Sequence, residues 1–241
     1  EWTPIYTKQN LEKLEGHHIS ISERSIYVIR IGTSAFFNKT LKLTIKRKPA
    51  GENTRVFNTT VVKKTRYNAV KLVEPSHHYV NSTSNETWKG GTNEVVIPLT
   101  APPDALEWYY IVSASRTKQE IESNLKTVSL LNDLTEVLNG IDPTTTALNI
   151  GLNLIAQPPG SDYCDVYLLD YNNQALFSSD KQFQYILEGS RENVKSAKVK
   201  VTCCTGIQYY LGIQNRDMYH GIHIGIEVVG IKKEEYLDFA E

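Results

Sequence analysis

Ala197-Lys198-Val199-Lys200-Val201 sets an apolar side chain at every second position, with lysines between. Side chains of an extended strand point alternately to its two faces, so this stretch reads as a strand with one dry face and one wet face. Leu41-Lys42-Leu43-Thr44-Ile45-Lys46 and Ile19-Ser20-Ile21-Ser22 carry the same alternation. Half-buried antiparallel sheets require that pattern, whereas sheets buried on both faces require continuous apolar runs. The chain therefore reads as mainly β and antiparallel.

Working outward, the strand patterns recur in order. Ala69-Val70-Lys71-Leu72-Val73 is echoed by Asp165-Val166-Tyr167-Leu168-Leu169, and Tyr79, Ser84 and Glu86 have the spacing of Tyr185, Ser190 and Glu192. Val95, Ile97 and Leu99 answer to Ala197, Val199 and Val201, and Trp108–Ile111 to Gln208–Leu211. A third partial copy joins Tyr27, Ile29 and Ile31 to Leu41, Leu43 and Ile45. A repeat copy is usually one structural unit. The expectation is two antiparallel β-sandwich, jelly-roll-like units over 16–99 and 100–231, with tails at 1–15 and 232–241. One larger sandwich is the alternative. If the copies are equivalent, Glu86 and Glu192 occupy matching loops.

The β pattern stops near Ser115 and resumes near Tyr163, which predicts an inserted α-helical hairpin over 117–156. Thr117-Lys118-Gln119-Glu120 has capping-box spacing. Ile121, Leu125, Val128, Leu131, Leu134 and Leu138 follow at helical spacing, and Gly140 supplies a left-handed stop. Asp142-Pro143 starts a second helix that Pro158 and Pro159 end. Leu125, Leu131, Leu148 and Leu152 are expected to be buried between helix and sheet. The acidic polar face of the first helix suits a membrane surface poorly.

The 241 residues carry 26 Lys plus Arg against 27 Asp plus Glu, a net charge of −1. No basic stripe marks a nucleic-acid partner, and no apolar run reaches the length of a membrane span. The chain begins at Glu1 and its one methionine is Met218, so it reads as a processed or trimmed form, for which removal of an upstream export signal is one explanation. The 14 tyrosines fit a protein placed outside the cell, at its surface or in the periplasm. Asn38, Asn58, Asn81 and Asn85 each open an N-x-Thr sequon. Cys164, Cys203 and Cys204 allow one bridge from Cys164 to either of the others, or three free thiols.

No motif for a nucleophile, a phosphate loop or zinc is present. The histidine doublets His17-His18 and His77-His78 place neighbouring rings on opposite strand faces and chelate poorly. Asp162, Asp165, Asp170 and Asn172 crowd one stretch, an oxygen-rich set of the kind that binds calcium, although Asp170-Tyr171-Asn172-Asn173 also reads as an Asx turn. Trp88 stands before Gly90-Gly91 in a polar loop, where an aromatic ring could stack on a sugar or a partner. Trp108, within an apolar strand, reads as core. The binding candidates are thus Trp88, Glu86 and Glu192.

Asp165-Val166-Tyr167-Leu168-Leu169, Ser190-Arg191-Glu192-Asn193, Gly206-Ile207-Gln208-Tyr209-Tyr210-Leu211 and Gly221-Ile222-His223-Ile224-Gly225-Ile226 together resemble bacterial pre-peptidase C-terminal domains, small jelly-roll sandwiches of secreted proteins. The likeness covers roughly 163–231 and, more faintly, 69–112; the helical insertion is foreign to that family. The chain is also similar to secreted or lipoprotein-type bacterial proteins. The resemblance implies an accessory, non-catalytic, exported β-sandwich. With the polar loops, the first function class is a binding or structural module at the cell exterior that holds a glycan or protein partner through those loops. A secreted hydrolase with a site assembled from distant residues is the other class.

Overall fold

The computed structural model describes residues 3–23, 25–34, 40–55, 60–89, 91–142 and 148–240, with the backbone alone at 87–89. Its strands are β1 (Val61–Val80), β2 (Glu94–Thr100), β3 (Ala105–Ser115), β4 (Cys164–Leu169), β5 (Arg191–Val194), β6 (Ser196–Val201), β7 (Gln208–Gln214) and β8 (Ile222–Phe239). They form two four-stranded antiparallel sheets, ordered β1-β8-β3-β6 and β2-β7-β4-β5. The chain crosses between the sheets at every step except β4 to β5, and this is the order in which a jelly roll lays out its eight strands.

Both sheets draw strands from either side of residue 100. β2 pairs with β7 from Glu94↔Gln214 to Thr100↔Gln208, and β3 pairs with β8 from Ala105↔Lys232 to Ser115↔His223. The pairing is that of the single-sandwich alternative. The chain divides elsewhere, into residues 63–236 and residues 1–62 with 237–241. The expected tail at 232–241 is largely strand, since β8 runs to Phe239.

The core lies between the sheets. Trp108, Tyr110, Val112 and Ala114 of β3 meet Val166 and Leu168 of β4, Leu211 and Ile213 of β7, and Ile222, Ile224, Ile226 and Val228 of β8. Each fully buried aliphatic side chain there contributes about 1.5–3 kcal/mol. The alternate residues of the first sheet are also buried: Tyr109 and Ile111 of β3, Val229 and Ile231 of β8 and Tyr67 of β1 pack under Leu130, Leu134 and Leu138. Burial on both faces explains the unbroken apolar run Trp108–Val112.

Those leucines belong to the insertion, whose limits match the sequence: β3 ends at Ser115 and β4 begins at Cys164. Its interior differs. A break at Val128-Ser129 separates α2 (Lys118–Thr127) from α3 (Leu130–Asn139), and between them lies a new N-terminus that needs partners for its free amides. Glu227, on the outer face of β8 and 1% exposed, accepts from Leu130 N at 2.7 Å and Leu131 N at 3.2 Å. Ser129 Oγ accepts from Asn132 N at 3.3 Å. Thr117 holds the N-cap position of α2 without capping through its side chain. Gly140 has φ −85°, so it is not the left-handed stop expected. No helix resumes at 148–151, where only the single turn Leu152–Leu154 follows; residues 143–147 lie outside those described. Leu125, Leu131, Leu148 and Leu152 are half-buried, while Ile121, Leu130 and Leu134 are wholly buried. With the break, α3 starts its own phase, and positions 130, 134 and 138 become its sheet-facing row.

The third partial repeat copy forms no strand. Among the described residues from 3 to 60 the regular structure is one 3-10 turn, Glu52–Thr54. Leu41, Leu43 and Ile45 are 62%, 54% and 68% exposed. Alternation specifies two faces, but a strand also needs a neighbour for its backbone donors and acceptors. The other copies do not correspond either. Glu86 lies in α1 (Thr83–Lys89), the helix between β1 and β2, whereas Glu192 lies on β5. The matched strands β1 and β4 sit in different sheets.

Among the described residues, no helix is long and apolar enough to cross a membrane. Cys203 pairs with Cys204, not with Cys164. The Cys164 thiol is free and buried, and burial pushes it up to about 12. The pairings of β4 with β7 put Cys164 at the end of the sheet opposite the start of β7, out of reach of Cys203 and Cys204.

Candidate functional site

One end of the sandwich gathers the loops β1–β2 (81–93), β7–β8 (215–221) and the two margins of the insertion (116–117 and 160–163). The β7–β8 loop holds them together through three consecutive side chains. Asn215, fully buried, donates to Asn81 O at 2.9 Å and His220 O at 2.8 Å. Arg216 turns to the outer face of the second sheet, pairing with Asp165 and donating to Tyr167 Oη at 2.6 Å. Asp217 turns to the insertion and meets Arg116 at 3.2 Å.

Local chemistry shapes this loop. Asp217 Oδ1 accepts from Tyr219 N at 2.7 Å and His220 N at 3.0 Å, the short-range bonding that lets an aspartate fix a turn. The Tyr219 amide, foremost among these donors, holds the Asp217 carboxyl below the usual range, so it stays ionised. The next loop docks by backbone: Thr83 N donates to Asp217 O at 3.2 Å and Ser84 N to Met218 O at 3.1 Å. At the tip of this braced turn Met218 and Tyr219 project into solvent, 57% and 71% exposed.

Beside the tip runs a groove of about 500 Å³ lined by Ser115, Arg116, Thr117, Glu120, Ser161, Asp162, Tyr163 and Asp217. Arg116 bridges Asp162 at 2.5 Å and Asp217. Ser115 Oγ donates to Glu120 Oε2 at 2.5 Å, and Ser161 Oγ reaches both Ser115 Oγ at 3.0 Å and Glu120 at 3.1 Å. Tyr163, 51% exposed, flanks the groove with the Lys195 ammonium 4.9 Å from its ring centre. The lining thus offers three carboxylates, one guanidinium, hydroxyls and a half-exposed aromatic ring.

The arrangement is suited to holding hydroxyl-bearing or cationic groups. Ser115 is 1% exposed, and among the described residues no imidazole bonds to Ser115 or Ser161. His220 faces Asp217 at 3.5 Å. His77 Nε2 bonds His223 Nδ1 at 2.7 Å, and His78 Nε2 bonds Ser76 Oγ at 3.0 Å, with no carboxylate bonded to the His78 ring among the described residues.

The residues expected to hold calcium are dispersed. Asp162 faces Arg116, Asp165 is paired with Arg216 and accepts from Asn193 N at 2.6 Å, and Asp170 caps α4 (Tyr171–Phe177) by accepting from Asn173 N at 2.8 Å. Asn172 is exposed on α4. Among the described residues no three His, Cys, Asp or Glu side chains are placed to hold a metal ion.

Of the binding candidates, Glu86 and Trp88 lie on α1 beside the β7–β8 loop, with the Trp88 side chain outside the described residues. Glu192 lies on β5, on the outer face of the second sheet, accepting from Tyr167 Oη at 3.2 Å and Tyr185 Oη at 3.3 Å and meeting Arg216 of the β7–β8 loop at 3.9 Å. Asn38 and Asn58 lie outside the described residues. Sequence reasoning missed Arg116, Asp217, Met218 and Tyr219. The readable signal was the polar run Asn215-Arg216-Asp217 followed by an aromatic and His220-Gly221, between two strands.

No protein-family model, curated protein or solved structure matches this chain.

Proposed function

We propose that the protein is a non-catalytic, exported binding module that recognises a glycan through the loops at this end of the sandwich. The observation that carries the reading is Tyr219, 71% exposed on a turn whose amides and side chains are bonded to Asp217 and to the neighbouring loop. A large aromatic carried on a backbone already fixed by these bonds binds with less loss of backbone entropy than one on a free loop. The adjoining carboxylates of Asp162 and Asp217 accept from sugar hydroxyls, while Tyr163 and Tyr219 offer ring faces to the apolar side of a pyranose. The resemblance to accessory jelly-roll domains of secreted proteins agrees with this assignment.

A glycan array probed with the purified chain tests it, followed by titration of the best binder against Tyr219→Ala and Asp162→Asn. Tyr219→Ala should weaken binding about tenfold or more and leave the unfolding midpoint within about 0.5 kcal/mol of the parent. A binder unaffected by both substitutions places recognition elsewhere. Capture of a protein through Tyr219 with no glycan bound replaces the ligand class. Turnover of a glycan, ester or peptide, abolished by single acid or histidine substitutions, replaces the binding reading with a hydrolase.

A further inference from the structure

Cys203 and Cys204 are neighbours in sequence and joined to each other. A disulfide stabilises a fold mainly by shortening the loops open to the unfolded chain, and its effect grows with the number of residues enclosed. A bridge between adjacent residues encloses almost none, so this one cannot act as a staple of the sandwich. What it constrains is local. Cys204 has φ +70°, a left-handed conformation that an L residue with a Cβ avoids. The turn is anchored on each side of the bridge: Thr202 N and Oγ1 donate to Glu188 Oε1 at 2.6 and 2.7 Å, and Gly206 N donates to Ala101 O at 2.8 Å. At its centre the buried Trp108 indole donates to Cys203 O at 3.1 Å. Both cysteines are half-buried, so a small thiol can reach them, whereas Cys164 is 3% exposed within the core.

We infer that Cys203–Cys204 is a reversible two-electron redox site that resets the 202–206 turn while the sandwich stays folded. A thiolate of a dithiol reductant attacks one sulfur, the S–S bond breaks, and a mixed disulfide forms as the departing cysteine thiolate takes up a proton. The reductant's second thiolate then attacks its own sulfur in that mixed disulfide. It leaves as a cyclic disulfide, and the other cysteine is released as a thiol. Two electrons and two protons have passed to the protein. Cys204, freed from the ring, can leave the left-handed region, and the Cys203 carbonyl that receives the Trp108 indole moves with it. A disulfide oxidant reverses the sequence.

The test is native-state alkylation of the full chain followed by intact mass and peptide mapping. Untreated protein should take up no iodoacetamide label. After dithiothreitol without denaturant it should take up two labels, on Cys203 and Cys204, with Cys164 labelled only on unfolding. Oxidised glutathione should restore the unlabelled form. The double variant Cys203→Ser, Cys204→Ser should melt within about 4 °C of the parent, a small step for a chain of this size. Labelling of both residues before reduction, or of neither after it, overturns the proposal. So does a fall of more than about 10 °C in the reduced parent or in the double variant, since the bridge would then be structural.

Discussion

The outer faces of the two sheets are covered in different ways. On the sheet β1-β8-β3-β6, Tyr67, Tyr109, Ile111, Val229 and Ile231 lie under an apolar lid of Leu130, Leu134, Leu138, Ile150 and Ile155. On the sheet β2-β7-β4-β5, a smaller apolar cluster of Tyr167, Leu169 and Phe177 gives way to a polar network in which Arg216 meets Asp165 and Glu192. Apolar burial is non-directional, so the first face accepts a lid with a broken helix and irregular chain. Hydrogen bonds are directional, so the second face fixes the position of Arg216. It thereby fixes Asp217 and Tyr219 in the same loop. One face supplies stability; the other sets the geometry of the candidate site.

The largest effect should come from thinning the lid. Leu134→Ala removes a fully buried side chain from between α3 and the sheet. A loss of about 2–5 kcal/mol in urea unfolding is expected. Leu131→Ala, at a half-buried position one residue after the start of α3, should cost clearly less. Equal costs would mean that α3 presents a different face to the sheet.

The lid also shows how far the sequence could be read. The strand class, the limits of the insertion at Ser115 and Cys164 and the burial of Trp108 follow from periodicity, which is a local property. Which strands pair is not local. Ala197-Lys198-Val199-Lys200-Val201 and Leu41-Lys42-Leu43-Thr44-Ile45-Lys46 have the same pattern, yet the first pairs with β3 and the second forms no strand. The break at Val128-Ser129 was equally hidden, because the carboxylate that caps α3 comes from Glu227, nearly a hundred residues away. The candidate site escaped for the same reason. Arg116 and Asp217 are unremarkable singly, Asp162 stood out only for its sequence neighbours, and the three become a groove only when their loops meet. The turn chemistry of Asp170 was readable, since its partner is three residues on.

A middle-sized effect is expected on the polar face. Asp165 is 2% exposed and answers to Arg216, Tyr167 Oη at 3.2 Å and Asn193 N at 2.6 Å. Asp165→Asn should cost about 1–3 kcal/mol, because the charge-assisted bonds weaken and buried donors lose their acceptor. A double-mutant cycle with Tyr167→Phe should return a coupling of about 0.5–3 kcal/mol. Burial, above all, and the Asp165 charge raise the Tyr167 phenol above its ordinary range, so it remains a neutral donor throughout. A coupling of zero would mean that the network is a set of independent contacts. Arg216 would then not be positioned by this face.

The smallest effect separates two glutamates, one on each sheet, whose carboxyls burial raises. Glu227 has an answer to that burial in the Leu130 and Leu131 amides, so Glu227→Gln should destabilise by about 1–2 kcal/mol, the range for a lost N-terminal cap. Glu94, at the start of β2, has Oε2 buried without a hydrogen-bond partner among the described residues. Burial first, then the nearby Asp180, pushes its carboxyl up to about 7, with Ser178 opposing and Glu86 adding. A folded-state value above the unfolded one means that the native state binds more protons. Stability is then greatest below about 4.5 and declines as pH rises toward about 7. Glu94→Gln abolishes that decline. The variant should match the parent near pH 4 and exceed it above pH 7, by no more than about 1 kcal/mol because the side chain keeps some contact with water. Denaturant midpoints measured across that window check it. A variant no more stable than its parent at pH 8 would show that the ionised carboxylate finds a partner there, and the two glutamates would no longer differ in kind.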